Sequence, residues 1–443
     1  MESAPYLIAG AGLAGLSSGV TLADQAVVLE TSDRPGGLVR TECFNGFWFD
    51  HVIHLLHVQE QASEDLLLGL PDHYLEPCPP TAWVETEEGT ARFPLQLHLS
   101  SLNPDAIERC IQSMREAIAS MGESSPSNFQ EALEATFGKA LCELFFFPYN
   151  QKMWRRPLSE ITADPNLWTL HRPSLEEVIQ GAIPGSATKP AYNSRAFYPR
   201  PPPNSPIRGM QVISAGLADR LPDLRLEHEV TGIHPREKCL TVRTGAGEKR
   251  IAWKKALIST LPLPRALELC DDVPESLSHA AKSMRHNLVV SLGLSIRGRR
   301  PSLGHWRYYA DPSLPFTRLV FLHEFDPDLA PADGWPLLAE VPLPSEIAVS
   351  PAELREQVIE GVHRCGVLNG NCQIEAVNIL VADPAYVCFT DESIAAAESA
   401  LAFLRSHGIE PLGRYGRWQY SSMSQVIESG VALAEDLLAR NRV

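Results

Sequence analysis

No two cysteines in this chain stand at C-x-x-C spacing, no apolar run approaches the ~18 residues of a membrane span, and positive charge is in deficit. Each absence removes a class of protein. The nine cysteines are odd in number and scattered, which argues against a disulfide framework or a structural zinc site and for reduced, buried thiols. Lys+Arg 38 against Asp+Glu 54 leaves a net charge of −16, the wrong sign for a protein held to nucleic acid by phosphate attraction or laid on anionic lipid. A phosphorylated ligand would have to be held by a few placed arginines against that field. No internal repeat or low-complexity tract is present. Met1 to Pro5 lack a basic start followed by an apolar stretch. A soluble, cytoplasmic protein with no nucleic-acid partner and no stable membrane anchor is expected.

What is present is a folded globular composition, 44% hydrophobic and 21% charged over 443 residues, enough for about three domain-sized units or one discontinuous domain carrying insertions. Tyr6-Leu7-Ile8-Ala9 suits a buried strand, and Gly10, Gly12 and Gly15 follow it in G-x-G-x-x-G order. Leu13, Leu16 and Val20 recur at helical spacing, so a helix starts inside the motif. Ala26 to Leu29 reads as a second strand, ending in Glu30. A strand before the glycines, a helix after them and an acid at the next strand tip together define a dinucleotide site. There the glycines let the backbone approach a pyrophosphate at the helix N-terminus, and Glu30 accepts hydrogen bonds from ribose hydroxyls.

Thr31 to Thr41 place Arg34, the pair Gly36-Gly37 and Leu38 directly after that acid. This resembles FAD-dependent enzymes of the glutathione-reductase-like superfamily, whose glycine pair brings the loop close to pyrophosphate and flavin. Further along, helices are expected over about 101–121, within 128–183, over about 351–366 behind the capping box Ser350 to Glu353, and over about 391–405 before Gly408. The Pro-rich stretch 199–206 reads as a polyproline-type loop that returns the chain to the first domain. Strands are expected within 224–244, at 256–259, over 286–296 and within 303–342. Ser422 and Gln425 form a capping box, so free N–H groups and a positive dipole end project from about Met423, where they would stabilise negative charge on a reduced flavin.

The tail Gly413-Arg414-Tyr415-Gly416-Arg417-Trp418-Gln419-Tyr420, followed by Met423-Ser424-Gln425, resembles the C-terminal flavin motif of UDP-galactopyranose mutases of eukaryotic type and their bacterial relatives. Phe49 to His54, the block Tyr149 to Trp154 with Pro157-Leu158, and Pro315-Phe316-Thr317-Arg318 match the same family in its order over most of the chain. The resemblance implies an α/β fold in which a discontinuous FAD-binding Rossmann-like domain is interrupted by a helical domain and an antiparallel sheet domain. The expected bounds are 1–75, 201–270 and 391–443 for the FAD-binding parts, 76–200 for the helical domain and 271–390 for the sheet domain. It implies a redox-neutral exchange of pyranose for furanose on a nucleoside-diphosphate sugar. In that family reduced flavin N5 attacks the anomeric carbon, and NAD(P)H is the expected external reductant.

Site residues follow from the same resemblance. Gly10, Gly12, Ala14, Gly15, Glu30, Arg34, Gly36, Gly37, Leu38, Val230, Arg414 and Met423 are expected at FAD. Arg172 and Arg318 are expected to face each other across the leaving diphosphate, since paired bidentate guanidinium groups suit its charge. Asn150, Trp154, Tyr386, Tyr420 and one of Tyr308 or Tyr309 are expected around the substrate. His51, His54 and His57 recur every three residues, but beyond Asp50 nothing nearby completes a metal site, and none is expected. His54 matches the family histidine beneath flavin N5. Where the family has two glycines before it, this chain has Val52-Ile53, so either His51 takes that place or the loop is stiffer, because branched residues do not adopt positive φ cheaply. The same scaffold hosts protoporphyrinogen-oxidase-like and amine-oxidase-like enzymes, which want an apolar tunnel and no arginine pair, and a flavin protein without turnover is a third reading.

Overall fold

A computed structural model describes the chain except for residues 53–54, 59–60, 71, 121–124, 164–170, 187–195, 347–348, 369 and 441–443. Two seven-stranded sheets organise it. The first has parallel strands at its centre: Leu224–Arg225, Ala26–Leu29, Glu2–Ala9 and Gly247–Ser259 lie side by side, with Ile409–Pro411 parallel to the far end of Gly247–Ser259. Tyr6 to Ala9 and Ala26 to Leu29 are buried throughout, as an apolar run needs when helices cover both faces of a parallel sheet. Cys239–Thr244 and Glu229–His234 extend this sheet as an antiparallel flank.

The glycine motif opens the helix Leu13–Leu22, and the chain's last helix, Met423–Arg440, packs along it. The two approach closely because Gly430 has no side chain: a Cβ there would lie 2.1 Å from Ser17 Oγ. Tyr6 Oη donates to Leu437 O at 3.1 Å. The two ends of the sequence therefore build one layer.

The second sheet runs in the order Gln373–Val387, His286–Arg297, Gly334–Pro344, Arg318–Phe321, Trp306–Tyr309, Ala82–Thr86, Gly89–Arg92. Its last two strands come from the stretch expected to be mainly helical, and Ala82–Thr86 pairs parallel with Trp306–Tyr309. The helices beyond that hairpin follow their caps. Asn103 accepts from Asp105 N ahead of Pro104–Ala119, Asn128 from Glu131 N ahead of Phe129–Phe137, and Ser350 from Glu353 N ahead of Pro351–Arg364. A π-turn at Cys142–Phe146 leads into the helix Phe147–Trp154. Among the described residues, no helix is long and apolar enough to cross a membrane.

Candidate active site

The glycine loops form a cradle from which side chains are excluded. A Cβ on Gly15 would fall 1.9 Å from Gly10 O, and one on Gly36, whose φ is +122°, would fall 2.7 Å from Val39 O. Gly12 and Gly36 pair as an isolated bridge, with Gly36 N donating to Ala11 O at 2.8 Å. Glu30, buried at the strand tip, accepts from Ala11 N at 2.8 Å and Ser32 N at 3.0 Å. His228 N donates to Glu30 O at 2.8 Å, which brings the strand carrying Val230 beside the acid.

Arg34 behaves differently from the expectation. Its guanidinium pairs with Glu42, because the strand Thr41–Phe44 turns that carboxylate back toward it. The cation beside Glu30 is Arg40, at 3.6 Å, which also donates to Arg34 O at 2.6 Å. Of the candidate histidines, His51 is held by Glu42 at 2.9 Å, and His54 lies outside the described residues.

The C-terminal motif closes the cradle from the other side. Gly413, at φ +81°, brings its backbone against Ala14, whose Cβ would be 2.8 Å from an added one. Arg414 donates to Ser421 O at 3.2 Å and Ala385 O at 3.0 Å, and its guanidinium lies 4.3 Å from the Tyr420 ring centroid and 5.8 Å from that of Tyr386. Its Nε is buried with no hydrogen-bond partner among the described residues. The Ser422–Gln425 box forms in both directions, leaving Met423 at the helix start. Leu38, Val52 and Tyr386 pack on Val289, Ala382 and Ala385 as an apolar wall. A glycine cradle, an acid at the strand tip and a helix N-terminus fit an FAD.

Beside that wall, on the same face of the second sheet as Val289, one row carries the polar groups. Registered Cα partners run Tyr308 to Arg318 to Glu340 to Ser291, and partners in register share a face of the sheet. Arg318 Nε donates to Glu340 Oε2 at 2.7 Å and Nη2 contacts the same oxygen. The guanidinium sits 5.8 Å from the Tyr308 ring centroid. Burial works against the Arg318 charge, yet the Glu340 carboxylate holds its pKa well above the usual arginine value. Burial likewise pushes Tyr149, Tyr308 and Tyr386 up, so all three remain hydroxyl donors at neutral pH. The guanidinium groups of Arg318 and Arg414 both oppose the upward shift of Tyr386.

Strand alternation separates the two adjacent tyrosines. Tyr308 faces the site with Phe93 at 5.1 Å and Tyr149 at 5.6 Å. Tyr309 points through the sheet into the core with Phe316 at 5.3 Å, and its expected place at the substrate is corrected accordingly. Trp154 is buried, 6.0 Å from Tyr386 in an edge-on contact. Asn150 spends its amide on Phe146 O at 2.7 Å, a carbonyl of the π-turn, which leaves Oδ1 as its outward group. Arg172 stands apart: it is exposed just before the helix Leu175–Gly181, and no contact between it and the tyrosine cluster occurs among the described residues. Glu340, Tyr149, Arg40 and Lys152 belong to the site or its frame without having been singled out from sequence. Tyr149 and Lys152 lay inside the matched block, whereas Glu340 had no local signal.

The sheet order, the glycine cradle and the C-terminal closure define a flavoprotein of the Rossmann-based, two-sheet class. The chain matches the family described as flavin containing amine oxidoreductase over residues 13–377. It belongs to that family. Among solved structures, it is similar to a reduced UDP-galactopyranose mutase with a TM-score of 0.90 at 21% identity, covering 99% of this chain and 94% of that one. A CLA-producing fatty acid isomerase from P. acnes gives 0.64 at 13% identity and 98% of both chains. A putrescine oxidase bound to putrescine gives 0.61 at 16% identity and 99% of both. At these identities the likeness is one of fold, and it bears out the α/β flavoenzyme architecture and the mutase-like scaffold expected from the motifs.

Proposed function

We propose that this chain is a redox-neutral, FAD-dependent mutase that interconverts pyranose and furanose forms of a nucleoside-diphosphate sugar. The observation that carries this reading is the pair of half-buried guanidinium groups, Arg318 and Arg414, both acting on Tyr386, with Arg414 5.8 Å from its ring centroid. Two half-buried cations, Arg414 toward the flavin and Arg318 toward the phosphates, suit a substrate that departs as a diphosphate. They repel the cationic amine that an amine oxidase binds, which is the reason to rank the oxidase reading second although the scaffold is shared.

Bound FAD, in a reduced form supplied by NAD(P)H, would provide an electron-rich nucleophile for the anomeric carbon. The chain's own groups do the rest. Gly10, Gly12, Ala14, Gly15, Gly36 and Gly37 admit the pyrophosphate, Glu30 holds ribose hydroxyls once they displace its backbone donors, and Val230 lies at the adenosine end. Arg414 and the Met423 N–H groups face the electron-rich end of the ring system. Glu340 fixes two guanidinium nitrogens of Arg318, leaving Nη1 for a phosphate oxygen, while Tyr308, Tyr386 and Tyr420 donate phenolic hydrogens to others. Arg172 is retained as the arginine that would approach from the opposite side. Trp154 and the wall of Leu38, Val52 and Ala385 exclude water. The nine free thiols suit a reducing compartment such as the cytoplasm.

The test is one of redox balance. Dithionite-reduced, FAD-loaded protein incubated with a panel of nucleoside-diphosphate hexopyranoses should give an isomer of unchanged mass, with no net consumption of reductant. Turnover only in the oxidised state, with stoichiometric use of oxygen or an acceptor, would establish the oxidase reading instead.

A further inference from the structure

Lys152 lies in the helix Phe147–Trp154 and is buried. A lysine so placed needs a partner for each ammonium hydrogen. Here all three are taken by main-chain carbonyls: Nζ donates to Tyr309 O at 3.0 Å, Asp311 O at 2.8 Å and Phe316 O at 2.7 Å. These oxygens bracket the turn that joins the strand Trp306–Tyr309 to the strand Arg318–Phe321. Tyr308 is the residue before the first of them, and Arg318 comes two after the last. The same helix carries Tyr149 and Trp154, and Asn287 Nδ2 pins its far end through Met153 O at 2.7 Å. Helix and hairpin also meet through rings, Tyr149 on Tyr308 at 5.6 Å.

We propose that Lys152 is a positioning residue for nucleoside-diphosphate binding: its ammonium locks the aromatic helix to the turn and thereby holds Tyr308 and Arg318 in register with Tyr149 and Trp154. This rests on the function proposed above. The lysine does not touch the ligand; it removes the freedom of the two strands that do. Preorganisation of this kind raises affinity by lowering the ordering cost on binding.

The experiment compares FAD-loaded wild type with Lys152→Met, which keeps the side-chain length without donors, and Lys152→Gln, which keeps two N–H donors. Three quantities are read: flavin content with its absorbance spectrum, the Kd for UDP by calorimetry, and backbone amide exchange. Two amides report on the turn, since Tyr309 N donates to Thr317 O at 2.9 Å and Thr317 N to Glu340 O at 3.0 Å. The expected result is wild-type flavin content and spectrum, UDP affinity weakened by about tenfold or more in the methionine variant and by less in the glutamine variant. Exchange at Tyr309 and Thr317 should be faster while Ile8 in the first sheet stays protected. Unchanged exchange at the turn, or unchanged UDP affinity, overturns the proposal. So does failure of both variants to accumulate as flavin-loaded protein, because the lysine would then hold the domain together and not the site. A wild type that does not bind UDP removes the nucleotide reading, and exchange at Tyr309 and Thr317 still decides whether Lys152 locks the turn.

Discussion

Replacing Arg318 by methionine should damage stability and ligand binding for two separable reasons. The Glu340 side chain is 5% exposed and its Oε2 faces two nitrogens of Arg318. Arg318→Met leaves that carboxylate buried without its counter-charge, a change that typically costs about 3–5 kcal/mol. Replacing both partners removes the problem, because apolar residues in place of a buried pair are often neutral or stabilising. The double variant Arg318→Met/Glu340→Leu should therefore melt close to wild type, whereas the single variant melts well below it. Ligand affinity follows a different rule. A charge-assisted hydrogen bond to phosphate contributes about 1.5–3 kcal/mol, so loss of the guanidinium should weaken UDP binding by about 10- to 150-fold in the single and double variants alike. Melting of the FAD-loaded protein and calorimetric titration with UDP measure the two effects. If affinity returns together with stability in the double variant, Arg318 is only a structural partner of Glu340, and the assignment of the phosphate site to this sheet is wrong.

Three further outcomes follow from the geometry. Tyr308→Phe should weaken UDP binding by about 0.5–1.5 kcal/mol, the net worth of one hydrogen bond, while Tyr309→Phe, altered on the core side of the same strand, should leave it unchanged; equal effects in the same titration would contradict the alternation. Gly15→Ala should prevent flavin loading, since its Cβ would meet Gly10 O at 1.9 Å, and a normal ratio of flavin to protein absorbance would refute the cradle. The last concerns pH. Burial lowers the Lys152 pKa to about 8, partly opposed by the Asp311 carboxylate and reinforced by Arg155, with Cys365 also facing it. The unfolded lysine titrates near 10.4. Below pH 8 both states carry the proton; between the two values the unfolded state binds more, so folding stability rises with pH by at most about 1.4 kcal/mol per unit. Wild type should gain on Lys152→Met as pH goes from 8 to 10 in thermal melts, and a constant difference would exclude the shift.

The parts of the fold that were legible in the sequence are those governed by neighbours along the chain. Tyr6 to Ala9 had to be a buried strand because an unbroken apolar run has no solvent face, and a helix had to start within the glycine motif because Leu13, Leu16 and Val20 recur at helical spacing. Ser350 and Ser422 could be read as caps for the same local reason. The site itself is a different kind of object. Glu340 was invisible because its meaning depends on register: it becomes the partner of Arg318 only when the strands Arg318–Phe321 and Gly334–Pro344 pair with those two residues opposite each other. A shift of one residue would turn Glu340 to the other face. The hairpin Ala82–Arg92 was hidden likewise, since its place beside Trp306–Tyr309 spans more than two hundred residues of chain. The ion pair of Arg34 was hidden in the same way, since a basic residue after an acidic strand tip looks free until the strand Thr41–Phe44 turns Glu42 onto it. The charges that choose a ligand are thus set by strand pairing, and a change of register here would alter binding before it altered the flavin cradle.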